Sequence, residues 1–452
     1  MSIRKNIVAN YLGAGISALA PILALPWYIS ILGTKYWGLV SFVVVLQGLL
    51  GLINAGLAQA LIREISNLIT AKEIGQKKIA GILYGFERIY WGFSLCAGLL
   101  VAYFSDTIVT NWLKLGDIPV ETGKLVIYTA AVIFAVQFPV SIYRSVLFGS
   151  GHQVKQNVLA SVATVLRHLC CVAILYIHAS ILTYLLWNAL AALIETLVTA
   201  KVSWNSLHVK RSELQWDSQE MRKVFLLTIG LSISVFLGIL TLQVDKIVLS
   251  WSLPIEQLGY YAIASTVSIG LLQTFTPIVS ATLPKVVQLQ GQTRALKKLS
   301  LKLLGIMLVI VSIGALLFAI MGKWLLTLWL RDTHVVEIIF PVLSLLLVGT
   351  AMNAIYSVGY INWVAAGSSI KVLKVNAISL VLSIMLLPVF IERYQLIGAA
   401  FGWLTINGTG MLLSLDWVFN VSRISSRVFC IKKDSVLLTS KLKVTICSFL
   451  RK

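Results

Sequence analysis

Seven of the charged side chains inside the long apolar stretches of this chain are the residues best suited to chemistry. The cations are Arg88, Arg144, Arg167 and Lys246, and the acids are Glu87, Glu195 and Asp245. A charge in hydrocarbon is costly unless it finds a partner, a proton or water, so such residues mark substrate and ion paths. Arginine suits a phosphate or pyrophosphate because its planar fork binds pairs of oxygens and stays protonated. The carboxylates are candidates to carry a proton or bind sodium.

The stretches that hold these charges predict an integral, all-α membrane protein. Of 452 residues, 58% are hydrophobic and only 12% are charged, and the mean hydropathy is +0.90. Soluble chains carry about 25% charged residues. A bilayer core takes about 20 apolar residues per helix. On this basis we predict twelve spans, at about 10–32, 38–62, 80–104, 124–148, 157–178, 182–203, 224–251, 258–284, 302–329, 337–363, 372–391 and 398–421.

The twelve spans divide into two lobes of six. We assign residues 1–203 to an N-lobe, 204–223 to a polar cytoplasmic linker, 224–421 to a C-lobe and 422–452 to a basic cytoplasmic tail. We expect span 1 to be an uncleaved helix, because its apolar run is too long for a signal peptide. The tail alternates basic and apolar residues, so it either lies on the inner membrane surface as an amphipathic segment or is simply solvated.

The distribution of Lys and Arg predicts the orientation. The chain has 37 Lys and Arg against 17 Asp and Glu, a formal net charge of +20. With a cytoplasmic N-terminus, 27 of these cations fall in cytoplasmic segments and five in periplasmic loops, as the positive-inside rule requires. We therefore expect both termini in the cytoplasm and a basic face that favours anionic lipids. The apolar composition argues against a nucleic acid partner.

The two halves resemble each other. The segment "LGTKYWGLVSF" (32–42) between spans 1 and 2 matches "LPIEQLGYYAIAS" (253–265) between spans 7 and 8. The turn between spans 4 and 5 matches the turn between spans 10 and 11, with Gly149 aligned to Gly367 and Asn157 to Asn376. An even number of helices separates the copies, so they have the same orientation. This predicts a parallel repeat about an axis along the membrane normal, with a substrate site between the lobes.

Each arginine has two interpretations at this stage. Arg167 lies near the middle of span 5, where it either lines a cavity or forms a structural pair with an acid such as Glu195 of span 6. Arg88 follows Glu87 in span 3, but adjacent helical residues point about 100° apart, so the two do not simply neutralise each other. Arg144 lies near the cytoplasmic end of span 4, where an interfacial anchor is the alternative to a cavity position.

Asp245 and Lys246 lie close to Trp251, an expected marker of the periplasmic interface. Lys246 can extend to that interface, whereas Asp245 needs a nearby partner, a proton or water. The pair therefore forms either the rim of a hydrated cavity with a role in ion coupling, or a structural pair. Together with Glu87 and Glu195, Asp245 completes the set of candidates for coupling to H+ or Na+.

No pattern points to enzyme chemistry. The five cysteines, Cys96, Cys170, Cys171, Cys430 and Cys447, have no spacing that suits zinc or a redox pair. We find no catalytic site, no metal-ligand motif and no Gly-rich phosphate loop in the sequence, and we predict no cofactor. No predicted periplasmic loop is longer than about 20 residues, which argues against a membrane polysaccharide polymerase or glycosyltransferase with a large catalytic loop.

Several segments resemble a known family. They are Asn10-Tyr11, "YISILG" after Pro26, "YWGLVSF", "NAGLAQALIREIS" (54–66), "IYRSVLFGSGHQVKQN" (142–157) and "VDKIVLS…LGYYAIAS" (244–265). They are similar to those of polysaccharide flippases of the O-antigen (Wzx) type. That family belongs to the multidrug/oligosaccharidyl-lipid/polysaccharide exporter superfamily, with drug/cation antiporters and peptidoglycan-precursor flippases. The resemblance covers the whole chain in its six-plus-six organisation.

The resemblance implies a flippase of the bacterial inner membrane rather than an enzyme. Its substrate would be a polyprenyl-pyrophosphate-linked oligosaccharide of O-antigen, capsule or a similar polymer, moved to the periplasmic leaflet by alternating access with an ion gradient. The polysaccharide polymerase machinery is a further expected partner. The main alternative is a drug/cation antiporter of the same superfamily, but such a protein needs acids in its cavity, whereas this chain has an excess of intramembrane cations.

Overall fold

The described part of the chain is helical nearly throughout. The computed structural model describes residues 3–52, 54–69, 72–207, 209, 221 and 236–415. The helices are α1 (Ile3–Gly51), α2 (Ala55–Leu68), α3 (Lys72–Tyr103), α4 (Val120–Gln137), α5 (Val140–Gly149), α6 (Gln153–Ile177), α7 (Ile181–Asn205), α8 (Val244–Ser252), α9 (Ile255–Gln288), α10 (Thr293–Leu330), α11 (Thr333–Ala365) and α12 (Ser369–Ser414).

The predicted spans are recovered in the described part of the chain. It contains eight helices long and apolar enough to cross a membrane. The number is nine when Gly75–Tyr103 of α3 and the short helical segment Ser105–Trp112, bent by 55° from it, count together as one span. Helix α1 is interrupted at Gly33 (φ 79°) and α12 at Gln395 (φ 54°), so each carries two spans. Together these helices account for eleven of the twelve predicted spans. The remaining one, 224–251, lies partly outside the described residues.

The proline in predicted span 4 explains why that span consists of two helices. Helix α4 ends at Gln137 and α5 begins at Val140, with Pro139 immediately before it. Proline has no backbone N–H and cannot continue the hydrogen-bond ladder from α4. Helix α5 packs against α2, α3, α6 and α7.

Two turns confirm the internal repeat and correct its register. Gly151 (φ 80°) and Gly367 (φ 69°) each lie two residues before the next helix. In both turns the residue after this glycine donates its backbone N–H to the carbonyl oxygen five residues earlier, at 2.8 Å. This bond is that of the Schellman motif, in which the residue that ends the helix has positive φ and is usually glycine. The predicted alignment of Gly149 with Gly367 is therefore wrong by two residues, and Gly149 instead packs closely against Ile65 of α2.

The buried apolar residues show how the lobes are joined. One continuous core runs through both lobes at the end of the molecule that carries Gly33, combining side chains such as Leu39 and Phe42 of α1 with Leu258 and Tyr261 of α9. At the opposite end each lobe has a core of its own, around α2, α3 and α5 in the N-lobe and around α9, α10 and α11 in the C-lobe. We call these the joined end and the divided end. The fold is thus an all-α polytopic membrane protein of two six-helix lobes.

Candidate functional site

Three of the predicted site residues form one ionic cluster in the N-lobe, in which two arginines bond the carboxylate of Glu195. The Nη2 of Arg167 on α6 lies 2.8 Å from Oε2 of Glu195 on α7, and the Nη2 of Arg144 on α5 bonds the other oxygen, Oε1. The side chain of Glu195 is 8% exposed, that of Arg167 17% and that of Arg144 38%. We call this group the arginine–glutamate triad. Two guanidinium groups and one carboxylate leave it with one net positive charge.

Helix packing holds the triad in place. The indole N–H of Trp187 on α7 donates to the backbone oxygen of Arg167 at 2.8 Å, which joins α7 to α6 beside the ion pair. One turn after the carboxylate, the hydroxyl of Thr199 donates to the backbone oxygen of Glu195 at 2.6 Å. Removing one partner from a buried charged pair costs about 3–5 kcal/mol, because the other charge is left uncompensated. The three side chains therefore stabilise the N-lobe as well as concentrate charge within it.

A groove leads to the triad between α6 and α7. It has a volume of about 240 Å³, and Arg167 and Glu195 form part of its lining. Its walls are largely apolar, and Val162, Leu166 and Ile194 among them are about half exposed. An exposed apolar stripe on a membrane helix is suited to contact with lipid chains. The two charged groups are thus reachable from an apolar surface.

The structure places Glu87 and Arg88 apart from the triad. Glu87 accepts a hydrogen bond from the hydroxyl of Tyr143 at 2.6 Å and one from the indole of Trp204 at 3.3 Å. Arg88 is exposed, stands 4.1 Å above the ring of Tyr84 and bonds that residue's hydroxyl. The two adjacent charges therefore point in different directions, as expected from the helical turn.

Asp245 and Lys246 contact each other in the C-lobe, and Asp245 also bonds Tyr261. Asp245 is 2% exposed, and the hydroxyl of the fully buried Tyr261 on α9 donates to its Oδ2. Its Oδ1 accepts the backbone N–H of Lys246 at 2.8 Å and lies 3.7 Å from the Lys246 ammonium. The burial of Asp245 is thus compensated by hydrogen-bond partners on α8 and α9.

The lobes interlock at the joined end through two reciprocal backbone contacts. The Cα of Gly38 packs against the backbone oxygen of Ile255, leaving no room for a Cβ atom, and the Cα of Gly259 packs in the same way against the oxygen of Thr34. Both contacts are related by the same shift of 221 residues, so each lobe presents the same turn to the other, as in a two-fold interface. The hydroxyl of Thr34 also donates to Oε1 of Glu256 at 2.9 Å.

The loop between α3 and α4 completes this interlock, which we call the clasp. The backbone oxygen of Lys114 accepts the N–H of Ile255 at 2.9 Å, and the Lys114 ammonium lies 2.6 Å from the oxygen of Ser252. In the same loop Asp117 accepts a hydrogen bond from Lys35 at 2.9 Å, which holds the pKa of Asp117 below its usual range. That exposed pair is present at neutral pH and is lost as the pH falls through the lowered pKa.

The clasp residues were missed among the predicted site residues, although the repeat pointed to their segments. Thr34, Gly38 and Gly259 all lie in the two matching stretches 32–42 and 253–265. A further polar contact without any sequence signal joins α1 to α6, where the hydroxyl of Tyr28 lies 2.9 Å from Nδ1 of His168. Over the described residues, no group of three or more His, Cys, Asp or Glu could hold a metal ion.

The whole architecture matches solved membrane transporters. It superposes on a lipid II flippase, MurJ, in an inward closed conformation with a TM-score of 0.69, at 14% identity over 97% of this chain and 93% of that one. It also superposes on a multidrug resistance MATE family transporter of the MOP superfamily in an inward-facing conformation, with a TM-score of 0.64 at 15% identity over 96% of each chain. The protein therefore has the two-lobed, multi-pass fold of this superfamily.

The sequence narrows this class to one family. Residues 3–290 match the polysaccharide biosynthesis protein family, and the chain belongs to it. A curated protein of Shigella flexneri named "Putative O-antigen transporter" is 23% identical over 427 residues, which cover 93% of this chain and 98% of that protein. The resemblance inferred from the quoted segments is confirmed, and so is the expectation of a membrane transport protein rather than an enzyme.

Proposed function

We propose that this protein is a flippase for polyprenyl-pyrophosphate-linked oligosaccharide units, moving them from the cytoplasmic to the periplasmic leaflet. The observation that carries the proposal is the arginine–glutamate triad: Arg144 and Arg167 converge on one carboxylate inside the N-lobe of a polysaccharide-family protein. Because both guanidinium groups bond the same carboxylate, they lie within about 8 Å of each other. A pyrophosphate offers oxygens to both forks at once.

The physical problem of flipping explains why such a pair is useful. The sugar and pyrophosphate head must cross the hydrocarbon layer in a polar, positively charged environment, because an uncompensated charge there is very costly. The polyprenyl tail can remain among lipid chains during the movement. A two-lobed protein supplies both, with cations inside and apolar helix faces outside.

The joined and divided ends support alternating access. The lobes share one core and the clasp at the end that carries Gly33, while the opposite end has one core in each lobe. Exposed basic residues concentrate at the divided end, for example Lys155 at the start of α6 and Arg294 at the start of α10. By the positive-inside rule this end faces the cytoplasm, so the described conformation is closed towards the periplasm.

The same proposal includes the location of the protein, its coupling ion and its partners. We place the protein in the bacterial inner membrane with both termini cytoplasmic, and we expect its basic face to contact anionic lipids. H+ or Na+ is the proposed coupling ion, with Glu87 and Asp245 as candidate carriers. Lys246 and Arg88 are proposed to add positive charge near the path, and a polysaccharide polymerase is the proposed acceptor of the flipped unit.

The test is made in the native host and in vesicles. Deletion of the gene should abolish surface polysaccharide and leave short lipid-linked units on the cytoplasmic leaflet, and the purified full chain should move such units across proteoliposome leaflets. Restoration by the wild-type gene is the control. Unchanged surface polysaccharide would reject the proposal, and new sensitivity to cationic drugs would instead favour the drug/cation antiporter.

A further inference from the structure

The triad has an unusual balance of donors and acceptors. Each oxygen of the Glu195 carboxylate is taken by a different arginine, one from α5 and one from α6. Both arginines are thus occupied by an anion that belongs to the protein itself. Each arginine uses its Nη2 for this bond, so an incoming anion gains both Nη2 donors and the full charge of both guanidinium groups only when the carboxylate moves away from them.

The surroundings of Glu195 limit what else can pair with it. Helix α7 packs against α4, α5 and α6. The charged residues of α4, Glu121 and Lys124, lie in its first turns at the joined end. On α6, the ring of His168 faces Tyr28, and Lys155 lies in the first turn at the divided end. The ionisable hydroxyl of Tyr143 on α5 is directed to Glu87.

We propose that Glu195 is an internal stand-in for the anionic head group of the substrate, and not the carboxylate that couples transport to an ion. This inference rests on the proposed function. In the empty protein Glu195 holds Arg144 and Arg167 in place and cancels one of their two charges. The pyrophosphate displaces Glu195 when it binds, and Glu195 returns when the substrate leaves.

The sign of the linkage separates this role from ion coupling. A proton on Glu195 would weaken its hold on the arginines and free them, so proton binding and anion binding would assist each other. An exporter driven by inward proton flow needs the opposite relation, in which proton and substrate compete. Glu195 is therefore suited to the return of the empty protein, because unpaired guanidinium groups in the membrane interior are costly.

The experiment compares wild type with Glu195→Gln in the purified full chain. Farnesyl diphosphate is the probe for binding, measured by calorimetry. We expect the Gln variant to bind it about tenfold tighter or more, because a competing charge has been removed. Without the probe, the variant should also unfold at a lower temperature than the wild type. Adding the probe should raise the unfolding temperature of the variant by more than it raises that of the wild type.

Transport supplies a second readout with a fluorescent polyprenyl-diphosphate-linked sugar in vesicles. Exchange of labelled for unlabelled lipid needs no empty return, so it should persist in the Gln variant, while net flipping falls about tenfold. Glu337→Gln, which removes a carboxylate from an exposed pair with Lys323, is the matched control and should change neither quantity. Weaker or unchanged binding of the probe to Glu195→Gln would overturn the inference.

A second variant covers a failure of Glu195→Gln to fold. Glu195→Asp keeps the charge but is one methylene shorter, so it can hold only one of the two arginines, and probe binding should tighten by a smaller factor. Binding to the Asp variant no tighter than to wild type would equally overturn the inference. A wild type that binds the probe but flips no lipid would reject the proposed function, whereas the role of Glu195 is decided by the binding ratios.

Discussion

At the scale of single residues, the charges buried in the membrane region find their partners within the protein. Glu195 bonds two arginines, Asp245 accepts from Tyr261, and Glu87 accepts from Tyr143. A buried polar group that loses its only partner is left with its full desolvation cost. Each of these residues consequently contributes to the stability of the fold, so a test of function must separate lost transport from lost folding.

The first prediction concerns the geometry of the arginine fork. Arg167→Lys keeps the charge but presents a point charge instead of a planar pair of donors. We expect transport to fall about tenfold, since the bidentate bonding that arginine can offer to a phosphate is lost, while the charged contact to Glu195 and the folded protein are retained. Surface polysaccharide in the deletion host, normalised to membrane protein level, measures this. Arg294→Lys, an exposed position on α10, is the control, and equal activity of both variants would contradict the prediction.

The second prediction concerns stability alone. Tyr261→Phe removes the hydroxyl that donates to the buried Asp245 and leaves that carboxylate short of a partner. We expect the free energy of unfolding to drop by about 1–3 kcal/mol, measured by thermal unfolding in detergent. Tyr360→Phe, at a partly exposed ring, should change stability by less than about 0.5 kcal/mol. Equal effects at the two positions would argue against the Asp245 bond.

At the scale of elements, the two repeated segments, 32–42 and 253–265, pack against each other and form the interface between the lobes. The break in α1 at Gly33 and the start of α9 present matching backbone to each other, with Gly38 and Gly259 at the points of closest approach. Glycine is required there because a Cβ atom would overlap the backbone oxygen of the other lobe. A repeat that is only suggestive in sequence is thus the structural basis of the clasp.

A third prediction follows for the clasp. Gly38→Ala should prevent full closure of the joined end and shift the protein towards a conformation open on that side. We expect net flipping to fall at least tenfold and a cysteine placed at Lys114 to react faster with a membrane-impermeant thiol reagent. Gly92→Ala on α3, where a Cβ atom meets nothing within 4 Å, should leave both quantities unchanged. An unaltered reaction rate in Gly38→Ala would refute the role assigned to the clasp.

At the scale of the whole molecule, the two lobes are joined at one end and divided at the other. Alternating access requires that this asymmetry be reversible, with the clasp opening in the other state. Packed interfaces of this kind tend to switch between discrete arrangements rather than deform gradually. The clasp is therefore expected to open as a unit.

The fourth prediction tests this with a cross-link in a cysteine-free version of the chain. Thr34 and Glu256 belong to different lobes and their side chains are hydrogen bonded, so a short bifunctional thiol reagent should join cysteines placed there and stop flipping. Reversal of the link should restore it. The matched pair is Lys35 and Asp117, which are equally close but lie in one lobe. Continued flipping with the Thr34–Glu256 link intact would show that the clasp does not open.

Much of the fold was predictable because hydrophobic length is a local property. Each span needs about 20 apolar residues, which can be counted along the chain, and the described helices follow the predicted spans. The breaks at Gly33 and Gln395 lie between predicted spans as expected. The alignment of Gly149 with Gly367 was wrong because the glycine that ends each helix is defined by positive φ, and a run such as Gly149-Ser150-Gly151 offers two candidates.

The candidate site was predictable only in part. The sequence identified Arg144, Arg167 and Glu195 as charges in hydrocarbon, and the pairing of Arg167 with Glu195 was one of two open interpretations. It did not reveal that Arg144 shares the same carboxylate. The tail from 422 to 452 lies outside the described residues, so both interpretations of it stay predictions, as do the lobe boundaries.

The sequence by itself determined the class of protein, its division into two halves and its intramembrane charges, because these depend on composition and on spacing along one chain. Only the tertiary structure decided which charges meet, which glycines touch the opposite lobe and which end of the molecule is joined. The physical reason is that hydrogen bonds and close contacts depend on the rotation and tilt of packed helices. Apolar helix sequences specify these only through the side chains they meet.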